Sequence, residues 1–122
     1  MKAVGDTFIV PNPFNKKDHL YIVIGLTEKG DPIAVNLTTT EIDRSSCILD
    51  KGEHPFVTQR SAVNFWDARK PMSLAALQVG LKQGIVKPHV AMSRSVVNRI
   101  IEAAQASRLF PDVLKQHLKV QA

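Results

Sequence analysis

The chain has 122 residues, 44% of them apolar, and carries a net charge of +5. That length suits a single domain with a modest core of its own. A single cysteine, Cys47, rules out an intrachain disulfide and fits a reducing compartment.

The charge is unevenly placed. Residues 1–77 hold nine basic and nine acidic side chains. Residues 78–122 hold seven basic residues against Glu102 and Asp112, so they carry the whole excess. A basic C-terminal region suits an acidic partner, nucleic acid or protein, or simply a solvated helix surface. Met1-Lys2-Ala3-Val4-Gly5-Asp6 lacks the apolar stretch of a secretory leader, and no run approaches membrane-spanning length. The cytoplasm, with no membrane association, is the expectation.

Taken in order, the first two thirds read as β. Thr7-Phe8-Ile9-Val10 is β-branched and aromatic, and Pro11-Asn12-Pro13 ends it. Leu20-Tyr21-Ile22-Val23-Ile24-Gly25 is a continuous run suited to a strand buried on both faces. Glu28-Lys29-Gly30-Asp31 turns the chain into Ile33-Ala34-Val35-Asn36-Leu37, which predicts a hairpin. Cys47-Ile48-Leu49 and Ser61-Ala62-Val63-Asn64-Phe65 complete about five short strands.

The period changes at Ser73. Ser73 is a predicted N-cap for a helix over residues 74–81, with Gly84 as its stop. Lys87-Pro88-His89 reads as a connector. Ser93 or Ser95 caps a second helix, whose Val96, Val97, Ile100, Ile101 and Ala104 share one face. Phe110-Pro111 breaks it, and a short third helix follows with Val113, Leu114 and Leu118 as its apolar stripe. The predicted fold is mainly β with C-terminal helices (β+α), with strands over 1–72 and helices over 73–122 packed on them as one domain.

The chain shows neither metal-ligand spacing nor a glycine-rich phosphate loop, so no metal or cofactor is expected. His54, in Gly52-Glu53-His54-Pro55-Phe56, is held extended by Pro55, and an imidazole suits proton transfer near neutral pH. It equally suits a turn in which the ring caps a backbone carbonyl. Thr38, Thr39 and Thr40 end a strand, where hydroxyls either contact a phosphate or face solvent at a sheet end. His19, with Lys16 and Lys17 beside it, forms a loop suited to a phosphate or to solvent. Arg69 either holds a phosphate or pairs with Asp67 or Asp50.

In this order the blocks resemble the PemK/MazF family of toxin endoribonucleases, over roughly residues 5–70. Gly5-Asp6 with Phe8-Ile9-Val10 is similar to the family's opening strand. His19-Leu20-Tyr21-Ile22-Val23-Ile24 stands where the family has an "RPxVV"-like strand, and Val35-Asn36-Leu37-Thr38-Thr39 resembles its strand ending in threonine. Arg60-Ser61-Ala62-Val63-Asn64 through Asp67-Ala68-Arg69 is similar to its "SxVxxxQxRT" stretch. The resemblance implies an SH3-like barrel of about five strands, metal-independent cleavage of single-stranded RNA, a homodimer and a cognate antitoxin protein. It puts the catalytic threonine at Thr38. The family's arginine falls near Leu20, so that arginine is absent.

His19, Thr38 and His54 are therefore the candidate catalytic residues, and Lys16, Lys17, Thr39 and Arg69 the candidate substrate contacts. The alternatives are a non-catalytic barrel that binds a protein or nucleic acid, and a toxin of this fold directed at a protein.

Overall fold

The computed structural model describes residues 3–11, 17–39, 47–69 and 72–122, without the side chains of Asp67 and Arg69. Six strands form one antiparallel sheet: β1 (Thr7–Pro11), β2 (Asp18–Leu26), β3 (Pro32–Thr38), β4 (Ile48–Leu49), β5 (Ser61–Asn64) and β6 (Lys87–His89), in the order β4-β5-β3-β2-β1-β6. A 3-10 turn (Trp66–Arg69) follows β5. The helices are α1 (Leu74–Lys82), α2 (Arg94–Ala106) and α3 (Asp112–Lys115). No helix among the described residues is long and apolar enough to cross a membrane.

One element departs from expectation. Lys87-Pro88-His89 is a strand, paired with β1 through Thr7↔His89, Phe8↔Pro88 and Ile9↔Lys87. The sheet thus takes its sixth strand from a stretch read as a connector between helices. Pro88 is tolerated because β6 is an edge strand and pairs on one side only. The chain arrives there from α1 by reversing at Gly84, whose φ of 75° favours glycine.

The helices cover opposite faces of the sheet, because neighbouring side chains on a strand point to opposite sides. Leu20, Ile22 and Ile24 on β2, Ile33, Val35 and Leu37 on β3, and Val63 on β5 form one core with α2 and α3. Every apolar position expected on the inner face of α2 is buried: Val96, Val97, Ile100, Ile101 and Ala104. Ser93 caps this helix, accepting from the Val96 amide. On the other face a smaller cluster joins Phe8, Val23 and Ala34 to Leu77 of α1 and to Val86. Ser73 caps α1 by accepting from the Ala76 amide. The Leu74 amide donates to the Asp31 carboxylate at 3.0 Å, which fixes the start of α1 against the β2–β3 turn.

Beyond α3 the chain returns to the sheet. Leu118 bridges Gly25 of β2, beside the bulge between Val23 and Gly25. A Cβ on Gly25 would lie 2.9 Å from the His117 carbonyl oxygen and 3.0 Å from the Leu118 side chain. Gly25→Val is therefore expected to cost about 1–3 kcal/mol, as overpacking does. Urea unfolding measures it, and an unchanged midpoint would mean that the C-terminal segment does not seal this strand in solution.

The order has two edges, β4 and β6. A side chain ties the segment after one edge to the residue after the other: His54 Nε2 lies 2.6 Å from the Val90 carbonyl oxygen. The segment is folded tightly, with Glu53 N bonded to Asp50 O and Gly52 N to Val57 O. So compact a segment cannot span five flat strand spacings, about 24 Å. The sheet is therefore curved, with β4 and β6 left as unpaired edges.

Candidate functional site

Beyond its apolar cluster the α1 face carries polar groups, of which Asn36 is buried and Tyr21 and Asn64 are partly buried. The register fixes them. Tyr21 of β2 pairs with Asn36 of β3, and Asn36 with Asn64 of β5. On the other side Tyr21 pairs with Phe8, and the two rings stack with centroids 5.5 Å apart. The next row along the strands contains Val10 paired with His19, and Thr38 paired with Ala62. Continuing the Tyr21↔Asn36 register by two residues sets His19 opposite Thr38. His19 Nδ1 lies 3.5 Å from the Leu37 carbonyl oxygen, so the ring is held loosely against β3.

His19 and Thr38, proposed separately from sequence, are thus brought together as cross-strand neighbours. Both are partly buried at the sheet end. Lys17, just before β2, and Thr39, just after β3, are exposed at the same end. Lys16 and Thr40 lie outside the described residues. Arg69 lies in the 3-10 turn, beyond the opposite end of β5, and its side chain is outside what the structure describes.

His54 does not join this row. It belongs to the α2 side of the sheet, where it is only 3% exposed. Its Nδ1 accepts from the Phe56 amide at 3.0 Å, so the ring proton sits on Nε2 and is donated to the Val90 carbonyl. The Thr7 hydroxyl donates to the same carbonyl at 2.6 Å. The His89 ring lies beside it, with centroids 5.0 Å apart. Burial pushes the His54 pKa below the ordinary imidazole value. The Val90 hydrogen bond opposes that shift, and the positive charge available to His89 adds to it.

A neutral imidazole with both nitrogens engaged is a structural fastener, the capping alternative raised from sequence. It is also remote from His19. Thr7 stands three residues along β1 from Val10, His19's partner, or about 10 Å of strand. A direct acid/base pairing of His19 with His54 is therefore outside hydrogen-bond reach.

Two more groups near His54 have structural explanations. Arg99 of α2 donates both terminal nitrogens to Glu53, at 2.8 and 2.7 Å, and reaches the Ile48 carbonyl at 3.1 Å. That bidentate pair holds the Glu53 carboxyl below its usual range, with help from the Asp50 amide. Cys47 is buried, and burial raises its thiol pKa against the opposing pull of Arg99. A protonated, enclosed thiol is a poor nucleophile.

Sequence reading did not single out Tyr21, Asn36 or Asn64. Their signal was the two-residue alternation His19-Tyr21-Val23 and Ala34-Asn36-Thr38, hidden inside runs that are apolar nearly throughout. The chain matches no family model, no curated protein and no solved structure.

Proposed function

We propose that the chain is a toxin-like protein acting on single-stranded RNA, with the polar part of the α1 face as its RNA surface and His19 as its proton-transfer group. The observation that carries this reading is the placement of His19 beside Thr38. Thr38 is where the PemK/MazF resemblance puts a catalytic threonine. The same resemblance puts an arginine near Leu20, but Leu20 is fully buried in the core under α2, where a lone charge would be very costly. Its neighbour His19 faces the other way, toward Thr38. On this strand the imidazole is the group that faces the threonine.

The chemistry follows from that pair. The imidazole takes the proton of an RNA 2′-hydroxyl, and the resulting alkoxide attacks the adjacent phosphorus. The bond to the 5′-oxygen breaks, that oxygen takes a proton from water, the imidazolium returns its proton to the hydroxide left behind, and a 2′,3′-cyclic phosphate remains. Hydrogen bonds from Thr38 and Asn64 would stabilise charge building on the phosphate oxygens. Lys17 adds a positive charge at the same end of the sheet. The curved sheet, tied edge to edge by His54, supports describing the fold more finely as an SH3-like barrel. A second copy of the chain and a cognate antitoxin are the protein partners this reading implies.

The test is cleavage of a long unstructured RNA in the presence of chelator. The scheme uses side chains alone, so wild type is expected to cut. His19→Ala is expected to lose about 10²–10⁴ in rate while staying folded, and Thr38→Ala to be impaired in the same assay. A second reading, RNA binding without cleavage, is favoured by the engagement of His54, which leaves a single candidate acid/base group in this row. RNA retained intact by wild type, with retention weakened by the same substitutions, would select it.

A further inference from the structure

The RNA row leaves unexplained the chain's single tryptophan. Trp66 is 51% exposed, although indoles are usually well buried. It lines a surface hollow of about 380 Å³ with Arg108, Leu109, Phe110, Pro111 and Asp112. Phe110 is core, packed edge-on against Phe65. Leu109 is 42% exposed, so the hollow presents an apolar wall and an indole to solvent, with a guanidinium beside them.

We infer that this hollow is a second RNA subsite, in which one nucleobase stacks on Trp66 and Arg108 holds a neighbouring phosphodiester. The inference rests on the RNA-directed reading and adds a subsite to it. A stacking platform of indole and guanidinium accepts any base, since every base has a π-face. The charge balance favours a polyanion, because residues 78–122 carry the whole net charge of +5. Asp112, the acidic group at the hollow, is held by Lys115 at 3.0 Å, which offsets its repulsion.

The probe is a labelled 2′-O-methyl oligouridylate, which cannot be cut by 2′-hydroxyl attack. Tryptophan emission reports on the hollow alone, and anisotropy of the label reports on binding anywhere. Emission is expected to be quenched over the concentration range in which anisotropy rises. Trp66→Leu is expected to weaken binding about ten-fold, with Trp66→Phe retaining most of the affinity. Arg108→Gln is expected to weaken binding and to lower the slope of log affinity against log salt by about one phosphate contact. Anisotropy that rises with unchanged emission, and equally in Trp66→Leu, would overturn the subsite while leaving the RNA row standing; the hollow would then belong to a protein segment. No anisotropy change with wild type would overturn the RNA reading and the subsite together.

Discussion

His54→Ala is expected to remove about 2–4 kcal/mol of stability, enough to bring a domain of this size near its unfolding threshold. The variant loses the bond to the Val90 carbonyl and leaves the Phe56 amide without its acceptor. It also opens a void where a buried ring stood, and the surroundings refill such voids only in part. Above all it releases the tie between opposite edges of the sheet. The pH dependence has a definite sign. The folded protein binds a proton on His54 less readily than the unfolded chain does, because burial disfavours the charged ring; protonating Nδ1 would also set an N–H against the Phe56 amide. The stability contributed by His54 is therefore complete above the ordinary imidazole pKa, about 6.5, and is lost progressively as pH falls below it. Urea unfolding at pH 8 and at pH 5.5 measures this. Wild type should lose more stability between the two than His54→Gln, and equal losses would show that His54 does not carry the effect. A catalytic His54 would give the opposite pattern, lost cleavage in an alanine variant of undiminished stability.

Why sequence pointed to His54 as a reactive group is physically instructive. Pro55 does hold the backbone, and the ring is positioned, as the motif implies. Its acceptor, however, is 36 residues away in sequence, just after a strand whose proline and short length concealed it. Strand signals are local, and Lys87-Pro88-His89 lacks both β-branched residues and alternation. Its place in the sheet comes from pairing with β1, a long-range event. The two long helices were legible because caps and periodicity are local: Ser73 and Ser93 both cap, and the α2 stripe is buried at every expected position. The third helix was legible only in part. Leu114 and Leu118 are buried, but Val113 is 69% exposed, since a single turn of helix presents only a narrow face. His19 and Thr38 were legible as residues but not as a pair. Cross-strand partners depend on register, and a slip of one residue would have sent His19 into the core and Leu20 to the surface. Which side chains meet was decided by the hairpin register, not by composition.

Phe110→Ala is expected to cost about 3–5 kcal/mol, the range for deleting a buried aromatic side chain. Phe110 is 1% exposed and sits between the end of α2 and the start of α3. Its ring meets Phe65 edge-on, with centroids 6.2 Å apart and planes at 88°, the favoured geometry for two quadrupoles. Phe65 directly follows β5, so this contact joins the helical layer to the sheet. Pro111 fixes the turn that aims the ring inward, since its φ of −62° belongs to the extended backbone ahead of α3. Loss of the ring removes the wall behind Leu109 and Trp66, so the variant is expected to weaken oligouridylate binding as well as unfold at lower urea. Leu109→Ala separates the two effects. Leu109 is partly exposed and contributes little to the core, so its loss should leave the urea midpoint nearly unchanged. If Phe110→Ala unfolds at the wild-type urea concentration, α2 and α3 are not anchored to the sheet through this contact, and the hollow beside Trp66 has no rigid floor.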